Sequence, residues 1–377
     1  MAMKRFIILS VAVATILSCG KNETRETQKT HFNTIVRLRT TPVKNQGRDA
    51  LCWAYAMLAT IESEHLMQGD SVNLSPAFVA RMLMRDGAER LYLTRGASPM
   101  SARGTMPMLV DIIMRHGLMP YSSYSTDKNI NVMCRTLQNA AHTAVRGRKG
   151  LSRWMDDADV LLDQGMGPLP YNVYMYGVRY TPLEFARSVC RPGEYVALTS
   201  YTHHPFGKFV DLELPDNHRH DTFLNLPIDT LMSRVEASLL SGHPVCWEGS
   251  THGQGFSFAR GTARLHDENR PVTQEMRQRS FERFSTTDDH CMAIVGIARD
   301  DNGNRWFICK NSWGTGNPYG GFMYMSYAYA RLHTVAVMMK GDVSYDNGAY
   351  RANEPCGADK PYKTHKHHKP YKSYQIN

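Results

Sequence analysis

Cys52 is the residue of this sequence best placed to act as a nucleophile. It follows a polar segment that contains Pro42 and Gly47. After it, apolar residues recur with helical spacing at Ala54, Met57, Leu58 and Ile61. This pattern predicts that a helix begins at Cys52, where unpaired amides and the helix dipole lower a thiol pKa from about 8.5. A lone cysteine in such a position is more often structural, so a base and an oxyanion donor must be found elsewhere.

A histidine and an asparagine on two predicted strands offer the groups that such a thiol needs. His290 enters an apolar run, and Asn311 ends the next run, beyond a polar turn at residues 300–304. His290 can act as a base, and the amide oxygen of Asn311 on its other ring nitrogen would fix the tautomer.

The pairing of these two strands decides whether His290 and Asn311 can meet. A two-residue turn at Asn302 and Gly303 would place Asn311 opposite Ile294, roughly 13 Å along the strand from His290. We therefore expect a longer loop that pivots near Asp300.

Four elements of the sequence together resemble the signature of papain-like cysteine peptidases. They are Gln46, the pair Cys52-Trp53 six residues later, His290, and the segment Asn311-Ser312-Trp313-Gly314. Longer segments resemble the branch of this family that contains aminopeptidase C and bleomycin hydrolase. These are TPVKNQG (41–47), SYTHHPF (200–206), TTDDH (286–290) and NPYGGFMYMS (317–326), and the resemblance runs from about residue 35 to 342.

The resemblance implies a role for each matching residue. Cys52 would be the nucleophile, His290 the base and then the acid, and Asn311 the residue that orients His290. Gln46 and the Cys52 amide would form the oxyanion hole. Trp313 would cover the hydrogen bond between His290 and Asn311, and Gly104 would line the bound substrate.

The resemblance also implies an activity and an architecture. We expect a cysteine-type peptidase that forms a thioester acyl-enzyme on peptide substrates, with the aminopeptidase specificity of the branch, no metal and no organic cofactor. The expected fold is α+β and two-lobed, with a helical lobe, an antiparallel β-barrel-like lobe, and insertions. The pattern agrees, because helical segments precede about residue 187 and strand-like runs follow residue 195. Hexameric rings are known in the branch, so a homo-oligomer is possible here.

Two departures from the family keep other functions open. The bulky Leu51 precedes the nucleophile, and Arg103-Gly104 stands where the branch tends to have two glycines. The alternatives are an endopeptidase of the same family, an acyltransferase with the same triad, and a catalytically inactive binding lipoprotein on a papain-like scaffold.

The N-terminus has the form of a lipoprotein signal peptide. Lys4 and Arg5 precede a short apolar run (6–17), and Ile16-Leu17-Ser18-Cys19 resembles a lipobox, whose cysteine carries the lipid. We expect an exported bacterial lipoprotein that is anchored to a membrane through Cys19 and faces the periplasm or the cell surface. Membrane fractionation of a Cys19→Ala variant tests this, because the anchor hypothesis fails if the variant stays with the membranes.

The positive charge is concentrated at the two ends of the chain. The formal net charge is +9, but removing the two N-terminal cations and the five lysines from Lys360 onward leaves +2 for residues 19–359. This near-neutral body gives no indication of a nucleic-acid partner. The predicted organisation is a signal peptide (1–18), a linker (19–38), a peptidase domain (39–342) and a basic tail rich in histidine and lysine (343–377).

The eight cysteines contain no C-x-x-C pair, which argues against a zinc ribbon or a thioredoxin-type redox site. Cys246, Cys291 and Cys309 lie in apolar strand-like runs, where buried free thiols are expected. Disulfide pairing cannot be read from the sequence.

Overall fold

A computed structural model of the chain describes residues 30–175, 177–253 and 255–341. The predicted signal peptide, the lipidation site Cys19 and the basic tail from residue 343 lie outside these residues.

Helices dominate the described chain as far as residue 189. The helices are α1 (Cys52–Met67), α2 (Pro76–Leu93), α3 (Met106–His116), α4 (Ile130–Arg146), α5 (Leu151–Met166), α6 (Pro182–Val189), α7 (Ile228–Leu240), α8 (Gln274–Glu282) and α9 (Tyr327–His333). Side chains of Ser75, Asn129 and Thr181 cap α2, α4 and α6 by accepting first-turn amide hydrogens. These local signals explain why helices could be predicted from the sequence in this half of the chain.

Strands dominate the rest of the chain. The strands are β1 (Phe32–Arg37), β2 (Val173–Met175), β3 (Val178–Tyr180), β4 (Tyr195–Thr199), β5 (Phe209–Asp211), β6 (Thr222–Asn225), β7 (Val245–Gly249), β8 (Phe256–Ser257), β9 (Thr262–Ala263), β10 (His290–Asp300), β11 (Arg305–Lys310), β12 (Phe322–Ser326) and β13 (Thr334–Lys340). One mixed sheet has the order β5-β6-β4-β13-β7-β10-β11-β12-β9-β8, with β1 also paired to β10, while β2 and β3 form a separate hairpin.

The central strands separate two hydrophobic cores. Successive side chains of a strand face opposite sides of the sheet. Cys246 and Cys291 therefore face the core formed with the helices α1–α6, while their neighbours Trp247 and Met292 face the core that α7 covers. α1 packs on β10, so the helix that begins at Cys52 lies against the strand that begins at His290. The predicted α+β, papain-like fold is confirmed.

The N-terminal boundary of the folded unit differs from the prediction. Phe32–Arg37, assigned from sequence to the linker, forms β1 and pairs antiparallel with the second half of β10. The Phe32 ring also stacks on Tyr324, with ring centroids 3.9 Å apart. Most side chains of β1 are exposed, and the strand therefore lacks the apolar pattern that would distinguish it from a linker. Its backbone nevertheless belongs to the sheet.

Among the described residues, no helix combines the length and the hydropathy that a membrane span requires.

Candidate active site

Cys52 is the first residue of α1, as predicted. The preceding residue, Leu51, is the N-cap, and its side chain accepts no hydrogen bond from the first turn. First-turn amides have no partner within a helix, so the positive end of α1 is left open beside the thiol. Leu51 itself is only 2% exposed and packs in the helical core, whereas Cys52 is partly exposed. The bulky side chain before Cys52 is therefore part of the core rather than exposed beside the thiol.

The surroundings of Cys52 favour its thiolate. The pKa of the Cys52 thiol lies well below its usual value because the side chain of Cys291 hydrogen-bonds to it, and because His290 adds a further hydrogen bond and a favourable charge. Burial of the thiol opposes this shift but does not cancel it. A thiolate at neutral pH is the form that attacks a carbonyl.

His290 and Asn311 are in direct contact, and the contact fixes which ring nitrogen carries a proton. The distance from Nε2 of His290 to Oδ1 of Asn311 is 2.8 Å. The same Oδ1 accepts the backbone amide hydrogen of Ser312 at 2.8 Å, so this atom is an acceptor and Nε2 of His290 is the donor. Nδ1 is thereby left as the nitrogen that can exchange a proton with Cys52.

The strand register that allows this contact comes from two irregularities. The turn between β10 and β11 spans residues 300–304, with Arg299 opposite Arg305, and a bulge between Ile294 and Gly296 shifts the pairing so that Ala293 faces Lys310. Extended by one residue beyond β11, this register places Asn311 opposite Met292, two residues from His290 rather than four. Side chains that are diagonal neighbours in this way are within reach of each other.

Gln46 is held close to this pair by Ser312. The backbone amide of Gln46 donates to the carbonyl of Ser312 at 2.8 Å, and the Ser312 hydroxyl donates to Oε1 of Gln46 at 2.5 Å. Nε2 of Gln46 donates one hydrogen to the carbonyl of Asp49 at 2.6 Å, which leaves its second hydrogen for another acceptor. Ser312 is a supporting residue whose contact with Gln46 spans 266 positions, so the sequence pattern did not indicate it.

Replacing Gln46 with alanine is expected to lower kcat for peptide hydrolysis by about 10²–10³, the usual effect of losing one oxyanion donor. Cys52 and His290 would remain, so turnover should fall without disappearing. Steady-state kinetics on a fluorogenic peptide measure this, with Gln68→Ala at the exposed end of α1 as the control. An unchanged kcat in Gln46→Ala would remove Gln46 from the oxyanion site.

Trp313 covers the histidine. Its ring lies against His290, with centroids 4.4 Å apart, and is packed edge-on by Phe256 and Phe258. His290 is 3% exposed and Asn311 is 2% exposed. The hydrogen bond between them is therefore shielded from water, as the resemblance implies.

Gly104 lies against Trp53, the residue after Cys52. A Cβ at this position would overlap the end of Met108 and approach the Trp53 ring to 3.2 Å. The Trp53 indole donates to the carbonyl of Ala102 at 3.0 Å, which fixes the loop that carries Gly104. A larger residue would therefore need the end of Met108 to move and the Trp53 ring to shift slightly, and the role of Gly104 in substrate binding stays a prediction.

Arg103 makes an ion pair between the two lobes. Its Nε donates to Asp216 at 2.6 Å, and its second guanidinium nitrogen approaches the carbonyl of Asp288 at 3.4 Å. The amide of Asp216 in turn donates to the Asp288 carboxylate at 3.3 Å. Burial raises the pKa of Asp216 to about 6, although Arg103 opposes the shift. This group therefore contains two carboxyl groups and one guanidinium.

A buried charge cluster ties α1 to the segments that carry Gln46 and Asn311. The carboxylate of Glu62, which is fully buried, accepts hydrogen bonds from Thr41, Lys44 and the amide of Leu74. Lys310, the residue before Asn311, donates to the Thr41 hydroxyl at 2.7 Å and lies 3.8 Å from Glu62. Burial lowers the pKa of Lys310 to about 8, and Glu62 opposes this shift. No local pattern in the sequence indicated this cluster.

Within the described ranges, one group of side chains has the composition of a metal site: His203, His204 and Glu213. The amide nitrogen of Gln278 donates to Nδ1 of His203, while its oxygen accepts the amide hydrogen of Thr202. The proton of His203 is therefore on Nε2, the atom that faces Glu213 at 3.2 Å. A metal would need the lone pair of that nitrogen, so the contacts favour a hydrogen-bonded structural group.

Part of the sequence matches a known protein family. Residues 172–355, which include His290 and Asn311, match the model of the Peptidase C1-like family. The match covers just under half of the chain and is what this part of the sequence is similar to. Cysteine proteinase 1, mitochondrial, of Saccharomyces cerevisiae is 22% identical over 362 residues, which cover 79% of this chain and 74% of that protein.

Two further comparisons concern related bacterial proteins. Aminopeptidase W of Lactobacillus delbrueckii subsp. lactis is 25% identical over 195 residues, 49% of this chain and 41% of the relative. The crystal structure of pepw from Lactobacillus rhamnosis superposes with a TM-score of 0.63 at 18% identity and 81% coverage of both chains, which supports the fold. The resemblance to papain-like cysteine peptidases is thus confirmed.

Proposed function

We propose that this cysteine peptidase hydrolyses peptide bonds through a Cys52-His290-Asn311 triad and acts as an aminopeptidase. The observation that carries the triad is the hydrogen bond of 2.8 Å by which Asn311 holds the His290 ring, beside a Cys52 thiol whose pKa His290 helps to lower. The proposed nucleophile, the base and the group that orients the base then lie side by side in space. This is the arrangement that activates a thiol.

In the proposed mechanism, Sγ of Cys52 attacks the peptide carbonyl carbon and the carbonyl oxygen becomes an oxyanion. The Cys52 amide and Nε2 of Gln46 donate hydrogen bonds to that oxygen. His290 gives its Nδ1 proton to the departing amine nitrogen as the C–N bond breaks, which leaves a thioester on Cys52. Water then attacks the thioester, His290 takes its proton, and Cys52 leaves as a thiolate.

Two observations support aminopeptidase specificity. One relative carries the name aminopeptidase. The second is the ion pair of Arg103 and Asp216, which joins the lobes one residue from Gly104 and acts electrostatically on Cys52. An extended chain on that side would meet this bridge, whereas a substrate that ends there in a free α-ammonium group would find the carboxylates of Asp216 and Asp288.

Fluorogenic peptides with a free and with an acetylated N-terminus test this specificity. We expect kcat/KM to be at least about tenfold higher for the free amine, since one hydrogen bond to a charged group is worth about 1.5–3 kcal/mol. Asp216→Asn should reduce that preference, whereas Asp156→Asn on the exposed face of α5 should leave it unchanged.

Each alternative has a distinct result. Equal cleavage of both peptides by the wild type would exclude an obligate aminopeptidase and identify an endopeptidase. Transfer of the acyl group to added amines would identify an acyltransferase. Cleavage of neither peptide, with a Cys52 that resists alkylation at neutral pH, would identify a binding protein on a peptidase scaffold.

A further inference from the structure

A second thiol lies against the proposed nucleophile. Cys291 directly follows His290 on β10, is 3% exposed, and faces the helical core on which α1 packs. Cys291 lines a small cavity together with Tyr55 and Ala56, which lie one turn beyond Cys52 on α1. The Cys291 side chain also contributes to lowering the pKa of the Cys52 thiol, and both cysteines are free thiols. The mechanism proposed above gives Cys291 no chemical step, so its position beside Cys52 is unexplained by peptide hydrolysis.

We propose that Cys291 is the resolving thiol of a reversible oxidation site, in which hydroperoxides convert Cys52 and Cys291 into a disulfide that switches the peptidase off and protects its nucleophile. The inference rests on the proposed function in one respect, since it requires Cys52 to be a reactive thiolate. Accessible thiolates next to a second cysteine are the usual sites of reversible oxidation.

The chemistry takes two balanced steps. The Cys52 thiolate attacks one oxygen of hydrogen peroxide, the O–O bond breaks, and Cys52 becomes a sulfenic acid while hydroxide leaves and is protonated to water. The sulfur of Cys291 then attacks the sulfur of Cys52, the S–O bond breaks, and the thiol proton of Cys291 leaves with the hydroxyl group as a second water. Peroxide is reduced by two electrons, the two thiols are oxidised by two, and a dithiol reductant reverses the bridge.

The geometry favours Cys291 over the other buried thiol nearby. Cys246 lies on the adjacent strand β7, where it is paired with Ala293, and its thiol is hydrogen-bonded to Thr60. Cys291 instead has Glu248 as its cross-strand partner and Cys52 as its thiol partner. A disulfide requires sulfur atoms about 2 Å apart, so a thiol beside Cys52 is favoured over one that is engaged by another side chain.

The first step also prepares the second. In the reduced protein, burial holds the pKa of Cys291 well above its usual value, and the hydrogen bond with Cys52 and the negative charge on Cys52 raise it further. Oxidation of Cys52 to a neutral sulfenic acid removes that negative charge. Cys291 then loses its proton more readily, at the moment when a thiolate is needed to attack the sulfenic acid.

The test compares the full-length wild type with Cys291→Ala and Cys291→Ser after treatment with excess hydrogen peroxide. The peroxide is removed, and peptidase activity is measured before and after addition of a dithiol, each value relative to the untreated form of the same variant. We expect the wild type to regain most of its activity. Both variants should regain less than about a tenth, because an unprotected sulfenic acid proceeds to irreversible sulfinic acid.

Non-reducing peptide mapping gives a readout that does not depend on catalysis. In the wild type we expect a peptide that links Cys52 to Cys291, and in the variants we expect Cys52 with two added oxygens. Cys309→Ala, which removes a buried thiol in the other core, is the matched control and should behave as the wild type. Circular dichroism of the untreated variants establishes that they are folded.

Three results would overturn the inference: a bridge from Cys52 to Cys246, sulfinic acid at Cys52 of the wild type without any bridge, or full recovery of both Cys291 variants. Failure of the proposed function is distinguishable, because a protein that cleaves no peptide can still form the mapped disulfide. An active peptidase without the disulfide would contradict only this inference.

Discussion

Replacing Cys52 with alanine is expected to lower kcat/KM for peptide hydrolysis by about 10⁴–10⁶, the usual loss when the nucleophile of a triad is removed. The variant retains His290, Asn311 and the oxyanion donors, but it has no atom that can form the thioester. The expected loss is large because these groups act together: without the thiol, His290 has no nucleophile to activate.

The matched control is Cys134→Ala, which removes a thiol buried in α4. Burial raises the pKa of Cys134, whereas the pKa of Cys52 is lowered. A thiolate persists at every pH above the pKa of its thiol, so iodoacetamide should still modify Cys52 well below pH 8.5 while Cys134 stays unmodified. Turnover of Cys52→Ala equal to that of the wild type would contradict both the triad and the proposed function.

Local sequence signals predicted the elements that carry the proposed triad. α1 begins at Cys52 and β10 begins at His290, and β11 ends one residue before Asn311. These predictions succeeded because helical periodicity and strand patterning are properties of neighbouring residues. The long turn near Asp300 was expected, but the bulge near Val295 that completes the register was not, because no residue type in β10 requires it.

The contacts that support the site could not be predicted from local sequence patterns. Arg103 and Asp216 are 113 positions apart, and Thr41 and Lys310 are 269 positions apart. Each of these residues is an ordinary polar residue in its own segment, and only the tertiary fold gives it a partner. The position of Cys291 beside α1 was not predicted for the same reason, since a cysteine in an apolar strand has the pattern of a core residue.

The Glu62 cluster is where we expect the largest effect on stability. Glu62→Ala should lower the free energy of unfolding by about 3–5 kcal/mol, the cost of removing one partner from a buried ion pair. Lys310 is 4% exposed and Lys44 is largely buried, so both cations would lose their counter-ion without gaining water. The amide of Leu74 would also lose its acceptor.

Urea unfolding followed by tryptophan fluorescence measures this loss, with Asp156→Ala on the exposed face of α5 as the control. A second variant, Lys310→Met, and the double variant complete a thermodynamic cycle. If the charges interact as the structure indicates, the double variant should be more stable than the sum of the single losses predicts, by about 0.5–3 kcal/mol. Strictly additive losses would contradict the ion pair.

Glu62→Gln separates the stability of the fold from the alignment of the site. It preserves the shape of the side chain and an acceptor for Leu74 but removes the charge that holds Lys44 and Lys310. Both lysines are in segments that end at functional residues, Lys44 two positions before Gln46 and Lys310 directly before Asn311. We therefore expect kcat to fall in folded Glu62→Gln protein while KM changes little, because the proposed oxyanion donor and the proposed histidine partner are displaced relative to Cys52. If the variant is destabilised but keeps its full kcat, Glu62 stabilises the fold without aligning the site.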